Sequence, residues 1–392
     1  MLPKQIDIKA FHYDLPEDRI ASFPAEPRDT SKLLKLEKGI ISHHIFRDIA
    51  DLLPKESMLV FNQTRVIQAR LFLTKETGTR IEVLLLEPIF PSTEVVLTMG
   101  AQNSVVWECM IGNKKRWKEG EIIAFNGVEF SWADRSRNHV RISWSDSRVF
   151  AELLSELGKM PIPPYIKRES IEKDKEIYQT VYARNDGSVA APTAGLHFTE
   201  YVLDQLHKKE IETEFITLHV GAGTFKPVST ENALEHEMHS EKMFFTKDNL
   251  INLMKHKGKI IPVGTTSMRS LESLYWFGAG LHYGKLNNFH IPQYFPYEFD
   301  SALGFQDSIK EVLNYMSKNN LDNLQGLTSI YIVPGYQFRV CEGIITNFHQ
   351  PASTLMLLVS ALIGEQWREV YAAALENNYR FLSFGDSSLL LP

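Results

Sequence analysis

Two kinds of apolar pattern run along the chain, and they occupy different stretches. Across residues 67–146 the apolar positions come in short alternating or β-branched runs: Ile81-Glu82-Val83-Leu84-Leu85-Leu86, Glu94-Val95-Val96-Leu97, Glu121-Ile122-Ile123-Ala124-Phe125 and His139-Val140-Arg141-Ile142-Ser143-Trp144. Gly78, Gly100, Gly112, Gly120 and Gly127 punctuate them, which predicts a small all-β barrel or sandwich. From residue 147 onward the spacing lengthens to three and four. Helices are predicted over 149–157 with Gly158 as the stop, after Ser170, and after Thr199 with Val202, Leu203 and Leu206 on one face. Others follow from Thr246 to Gly258 and over 267–277, 309–317 and 367–375. Strands at 215–220 and 259–263 interleave with them, and Met58-Leu59-Val60-Phe61 reads as a matching strand ahead of the β-rich stretch. The pattern predicts an α/β main domain, residues 1–66 and 147–392, with a small all-β barrel domain of residues 67–146 inserted in it. Two domains in tandem is the competing arrangement.

Residues 280–325 are the least regular part. There His290-Ile291-Pro292-Gln293-Tyr294-Phe295-Pro296-Tyr297 sets aromatics between prolines, as in a surface excursion that packs on the body or covers a site. With 392 residues, 44% of them hydrophobic and 23% charged, the chain can bury a sizeable core without a staple or structural metal. Cys109 and Cys341 sit in no metal-spacing motif, as expected in a reducing compartment. The apolar run 355–363 is well short of the roughly 20 residues a membrane span needs. No apolar run opens the chain, so a cytoplasmic location with no membrane contact is expected. The net charge of -6 argues mildly against a nucleic-acid partner, although clusters such as Lys114-Lys115-Arg116-Trp117-Lys118 can override a global sum.

Several strand ends carry chemistry. Asn62-Gln63-Thr64-Arg65-Val66-Ile67-Gln68-Ala69-Arg70 offers Asn62, Thr64, Arg65 and Arg70 to a polar or anionic ligand, or else to ion pairs between domains. Pro192-Thr193-Ala194-Gly195-Leu196-His197 sets Thr193, Gly195 and His197 before a helix; a histidine among apolar neighbours is more often a satisfied core group. His219-Val220-Gly221-Ala222-Gly223-Thr224 runs from a strand into a Gly-X-Gly turn that lacks the third glycine of a dinucleotide fingerprint. Gly264-Thr265-Thr266-Ser267-Met268-Arg269 leads into a helix on which Arg269 and Glu272 share a face, an ordinary salt-bridge spacing. Thr346-Asn347-Phe348-His349 and Ser383-Phe384-Gly385-Asp386-Ser387 complete the set, the latter read as a strand followed by a tight turn. In open α/β sheets such strand-end loops collect at one crevice, so a composite small-molecule site is predicted. His236-Glu237-Met238-His239-Ser240-Glu241 resembles a zinc-binding helix only loosely, because its histidines are three apart rather than four; no metal is expected.

Taken in order, these segments resemble the successive motifs of the S-adenosylmethionine:tRNA ribosyltransferase-isomerase family. The resemblance runs from Phe11-His12-Tyr13-Asp14 to Gly385-Asp386 and includes Met160-Pro161-Ile162-Pro163-Pro164-Tyr165-Ile166 and Tyr178-Gln179-Thr180-Val181-Tyr182. It implies transfer of the ribosyl unit of S-adenosylmethionine, a co-substrate, to 7-aminomethyl-7-deazaguanine at the wobble position of the tRNA anticodon loop. The ribose is rearranged to give epoxyqueuosine, and adenine and methionine are released. No bound cofactor is implied, and a monomer is expected. That chemistry needs a base beside the sulfonium, an acid for adenine departure, paired charges for the methionine zwitterion, and donors for a developing oxyanion. His197, His219, His349, Glu241 and Glu272 are the candidate proton carriers, with His197 first for the base. Arg65, Arg70 and Arg269 are candidates for anions. Asn62, Thr64, Thr193, Gly195, Gly221, Gly223, Thr224, Thr265, Thr266 and Asn347 complete the candidate binding set.

The chain departs from the family pattern at Gln63 and Gln68, where Asp and Pro are expected, and at Glu342, where Asp is expected. Phe384 and Ser387-Ser388 differ too, and the excursion after Gly280 looks longer than usual. A carboxylate missing at Gln63 removes a partner for the substrate amine or sulfonium. The rival readings are a paralogue using S-adenosylmethionine on another acceptor, a non-catalytic tRNA-binding protein, and a metal hydrolase built on His236, His239 and Glu241.

Overall fold

The computed structural model describes residues 2–221, 228 and 230–392. Its largest mixed sheet has the order β14-β3-β12-β13-β16-β15, formed by Met58–Asn62 (β3), Glu212–His219 (β12), Glu241–Thr246 (β13), Ile260–Pro262 (β14), His290–Ile291 (β15) and Asn323–Thr328 (β16). β3 runs parallel to β12 and β14, whereas β13 runs antiparallel to both β12 and β16. Every residue of β3 is buried, as a central strand covered on both faces requires. The helix Thr265–His282 is buried from Thr265 to Gly280, its polar first half with Arg269 and Glu272 included. It packs closely on the helix Phe305–Lys318: a Cβ on Gly278 would lie 2.2 Å from the Ser308 carbonyl oxygen, so only glycine fits there.

A second sheet joins the two ends of the chain in the order β17-β18-β1-β2: Ile344–Asn347 (β17), Ser387–Leu391 (β18), Lys32–Glu37 (β1) and Ile40–Ile45 (β2). Bridges from Ile260 to Cys341 and from Val263 to Ile345 tie it to the first sheet. They align the ends of β14 and β17, and so the loops that follow each strand. A short parallel pair of Thr64–Val66 (β4) and Asn185–Ser188 (β11) lies beside β12.

Residues 70–143 form a six-stranded antiparallel sheet, nearly closed into a barrel. Its order is β5-β6-β7-β10-β9-β8: Arg70–Thr74 (β5), Arg80–Phe90 (β6), Ser104–Gly112 (β7), Ile123–Phe125 (β8), Val128–Asp134 (β9) and His139–Ser143 (β10). β5 and β8 approach each other across the gap. Val83, Leu85, Trp107, Trp117, Ile123 and Phe130 fill its core, and Phe150, Leu153 and Leu154 of the helix Phe150–Leu157 close one side.

Four expected elements differ. Residues 94–97 are not a strand: Glu94 is the N-cap of the one-turn helix Val95–Met99, its N–H donating to Ser92 Oγ at 3.0 Å, and Val96 and Leu97 are exposed. The charged helix after Ser170 is only Asp174–Ile177, gathered around the buried Asp174 carboxylate, which takes two Arg168 donors at 2.7 and 2.8 Å. The helix begun at Thr246 stops at Lys255, before Gly258. Residues 383–386 are the turn, and the strand follows them as β18. The 280–325 excursion packs on the body: Phe289, Ile291 and Phe295 enter the main core, and Phe289 stacks on Phe277 with centroids 4.5 Å apart. Among the described residues no helix is long and apolar enough to cross a membrane.

Candidate functional site

The aligned ends of β14 and β17 make the floor of a cleft. After β14, Gly264 turns at φ +89°, where a side chain would be strained, and starts the helix Thr265–His282 with no side-chain cap. The first N–H groups of that helix are therefore open donors beside Thr265 and Thr266 on the cleft wall. β17 supplies Thr346 and Asn347, with His349 two residues on, and the Thr193–His197 turn brings Thr193 to the opposite side. Thr193, Thr265, Thr266, Asn347 and His349, distant in sequence, thus converge as predicted.

His349 is held at three points. Its Nε2 lies 3.0 Å from Thr346 Oγ1, its backbone N–H donates to the Tyr371 hydroxyl at 3.1 Å, and its carbonyl accepts from the Tyr13 hydroxyl. Nδ1 makes no hydrogen bond to a described residue. Burial lowers its pKa to about 4, so the ring is a neutral imidazole at pH 7.

His197 is placed otherwise. It is 4% exposed and lies behind Asn347, off the cleft wall, with Nδ1 2.8 Å from Ser31 Oγ and Nε2 3.1 Å from Asn347 Nδ2. Both ring nitrogens are occupied, and burial, reinforced by Arg380 and Arg28, pushes its pKa down to about 3. The structure thus places His197, the residue expected first for the base, behind the lining of this cleft rather than on it. Asn347 is 3% exposed and donates from Nδ2 to the Leu382 carbonyl at 3.2 Å as well, while its Oδ1 has no partner.

A second cleft, sharing Leu355 with the first, is lined by Gly221, His236, His239, Glu241 and Arg269. Arg269 Nη1 pairs with Glu241, and Nε donates to the Ile330 carbonyl at 3.3 Å. Nη2 is buried without a partner among the described residues. The predicted Arg269–Glu272 bridge does not form. Glu272 points away from the clefts and accepts from the Tyr336 hydroxyl at 2.7 Å and from the N–H groups of Arg339, Val340 and Cys341 at 3.0 Å each. Burial raises its pKa, with those donors opposing, and its place is structural. Among the described residues no three His, Cys, Asp or Glu side chains gather as a metal site.

The third cleft, about 1100 Å³, opens at the seam between the barrel and the main sheet and shares Val220 with the first and Gly221 with the second. His219 and Lys242 face Glu87, Glu108 and Met110 across it. His219 Nδ1 lies 2.9 Å from Thr64 Oγ1, and burial, aided by Lys242, lowers its pKa to about 4. Asn62 does not reach a ligand position: its amide bonds Leu218 N–H and carbonyl at 3.0 and 2.9 Å and splices β3 to β12. Arg65 is exposed, 3.9 Å from Asp186, and Arg70 lies 3.2 Å from Glu82; neither lines these three clefts. Gly195 is buried against Tyr182. Gly223 and Thr224 lie outside the described residues. Gln63 sits between strands, its side-chain amide 3.5 Å from the Phe215 carbonyl and from Thr217 Oγ1, and is not among the residues that line these three clefts. Two wall groups were missed, Tyr165 and Ser383, whose hydroxyls are 2.6 Å apart; both fall inside the motifs that carry the resemblance.

A family model described as queuosine biosynthesis protein matches residues 8–390. The S-adenosylmethionine:tRNA ribosyltransferase-isomerase of Desulfitobacterium hafniense is 40% identical over 396 residues, covering 98% of this chain and 99% of that protein. Its namesake from Thermosipho africanus is 39% identical over 390 residues, covering 97% and 98%. A solved structure of an S-adenosylmethionine tRNA ribosyltransferase from Thermotoga maritima is 26% identical, covers 97% of this chain and 99% of that one, and superposes with a TM-score of 0.47.

Proposed function

Since the chain belongs to the queuosine biosynthesis protein family, in which its relatives are S-adenosylmethionine:tRNA ribosyltransferase-isomerases, we propose that it transfers the ribosyl moiety of S-adenosylmethionine to 7-aminomethyl-7-deazaguanine in tRNA and isomerises it. The products are epoxyqueuosine in the tRNA, adenine and methionine. The observation that carries the assignment of the site is the convergence of Thr193, Thr265, Thr266, Asn347 and His349 on one cleft. In this reading His349 replaces His197 as the base: its Nδ1 takes the acidic proton next to the sulfonium, and its neutral state at pH 7 leaves that nitrogen ready to accept. The open N–H groups at the start of the helix Thr265–His282 stabilise negative charge as it develops on the ribose oxygens.

The third cleft, reached from the first past Val220, takes the acceptor base of the anticodon loop, with His219 beside it. The barrel of residues 67–146 is then a module inserted into the α/β body of residues 1–66 and 147–392, and it forms one wall of that cleft. The enzyme works as a cytoplasmic monomer with S-adenosylmethionine as co-substrate and no bound cofactor.

The test is incubation with S-adenosylmethionine and tRNA carrying the aminomethyl base, read by nucleoside mass and adenine release. The epoxide nucleoside with one adenine per modification is expected; methyl transfer, or no reaction, overturns the proposal. His349→Gln should lower kcat by about 10²–10⁴-fold, the usual contribution of a positioned base, with binding of S-adenosylmethionine retained. Near-normal turnover in that variant removes His349 from the role.

A further inference from the structure

Two buried polar atoms without partners lie in adjoining clefts and differ in kind. Arg269 Nη2, in the second cleft, is a cationic donor on a residue only 8% exposed. Asn347 Oδ1, in the first, is a neutral acceptor on a residue only 3% exposed. Buried polar groups are rarely left unsatisfied, because each forfeits its hydration with nothing in return. We propose that these atoms mark the two ends of the bound S-adenosylmethionine: its carboxylate bonds Arg269 Nη2 in the second cleft, and an N–H or O–H donor of its nucleoside half bonds Asn347 Oδ1 in the first, with His197 as the positioning residue that aims the amide. The inference rests on the proposed function and fixes the direction in which the substrate lies.

The second cleft suits an amino-acid end rather than a bare anion. Arg269 is already paired with Glu241, so the pair is neutral in sum and presents a charge dipole to a zwitterion. The first cleft is fixed by hydrogen-bond logic. The Leu382 carbonyl, 3.2 Å away, can be met only by the Nδ2 side of the Asn347 amide. The other Nδ2 hydrogen points at His197 Nε2, which must then be unprotonated, with the ring proton on Nδ1 facing Ser31 Oγ. Oδ1 is left for the cleft, as an acceptor only. Leu355 lies on the walls of both clefts.

The test is calorimetric titration of the full chain with S-adenosylmethionine, its decarboxylated analogue, S-inosylmethionine (6-amino group replaced) and a 2′-deoxy analogue. Arg269→Lys keeps a cation for Glu241 but lacks Nη2. It should weaken S-adenosylmethionine on the order of tenfold or more, the scale of a charge-assisted bond, and leave the decarboxylated analogue unchanged. Asn347→Ala should do the reverse. It should preserve discrimination for the carboxylate and abolish it for one nucleoside analogue, the inosyl compound if the partner is the adenine amino group, the deoxy compound if it is the hydroxyl. His197→Leu should reproduce the Asn347→Ala pattern, and His197→Gln, which restores an acceptor, should rescue it. If every variant weakens all four ligands by one factor, or if the carboxylate couples to Asn347 instead, the orientation is wrong. If the unsubstituted protein binds S-adenosylmethionine not at all, the functional proposal falls and the orientation with it.

Discussion

Glu272→Gln separates a carboxylate that holds the chain from one that does chemistry. In the native protein each oxygen has donors: Oε1 accepts from Val340 and Cys341, and Oε2 from the Tyr336 hydroxyl and Arg339, at 2.7–3.0 Å. Glutamine presents one oxygen and one NH₂, so two of those donors must face another donor. A buried donor left unsatisfied costs about 1–3 kcal/mol, giving about 2–6 kcal/mol for two. Removing a buried charge returns part of this, because burial already disfavours the ionised form. A net loss of about 3 kcal/mol is expected. The pH dependence gives a second signature. A carboxyl whose folded pKa is raised contributes most below its unfolded pKa and loses that contribution as pH rises through the folded value. The variant should therefore lose less stability than the native chain over that rise. The assay is urea unfolding followed by tryptophan fluorescence, with kcat/KM measured on the folded fraction. A variant within about 0.5 kcal/mol of native stability but a hundredfold slower would refute the structural assignment and return Glu272 to the chemistry.

Three further outcomes are expected. His197, His219 and His349 are all held neutral by burial, with pKa values pushed down to about 3, 4 and 4, so the unfolded chain takes up protons below pH 6.5 that the folded chain refuses. Their stabilisation is full above that pH and is lost as pH falls toward 4 and then 3. Urea midpoints across pH 7 to 5 should fall accordingly, and His349→Gln should remove about 1.4 kcal/mol per pH unit from the slope; an unchanged slope would deny its burial. Gly187→Ala places a Cβ 2.7 Å from the His219 ring, at a φ of +148° that side chains seldom adopt, so turnover should fall with little effect on S-adenosylmethionine affinity. A parallel loss of affinity would place His219 nearer the first cleft. Asp174→Asn should cost about 3 kcal/mol by stranding the Arg168 guanidinium, read as a lower thermal midpoint with catalysis per folded molecule intact.

Local patterns were legible in the sequence wherever one residue's period decided the element. Thr199 caps the helix Glu200–Lys208 through the Val202 N–H, and Val202 and Leu206 are its buried face, as the spacing predicts. What was not legible depended on partners far along the chain. β1 and β2 carry no conspicuous signal and are strands because β1 pairs with β18, more than 350 residues later. Arg269 and Glu272 have the spacing of an ion pair, yet each finds a better partner across the fold, on β13 and on the 336–341 turn. The same holds in the cleft. Motif order brought Thr193, Thr265, Thr266, Asn347 and His349 to notice, but only the fold distinguishes wall from backing, and it turns His349 inward and His197 away.

That distinction changes how the chemistry is divided. His197, His219 and His349 are all desolvated and all neutral at pH 7, so proton affinity does not single out the base. Their second nitrogens set His197 apart. His197 spends both on Ser31 and Asn347, and its tautomer is set by what Asn347 must donate. His349 spends Nε2 on Thr346 and keeps Nδ1 on a cleft that also opens to the donors at the start of the helix Thr265–His282. A base and an anion-stabilising helix terminus on the same cleft are what removal of a proton beside a sulfonium requires, because charge released at one must be received near the other. The neutral histidine behind the wall is placed differently: with the ring proton on Nδ1 toward Ser31, its Nε2 accepts from the Asn347 amide and fixes the direction of that amide without adding a charge behind the cleft.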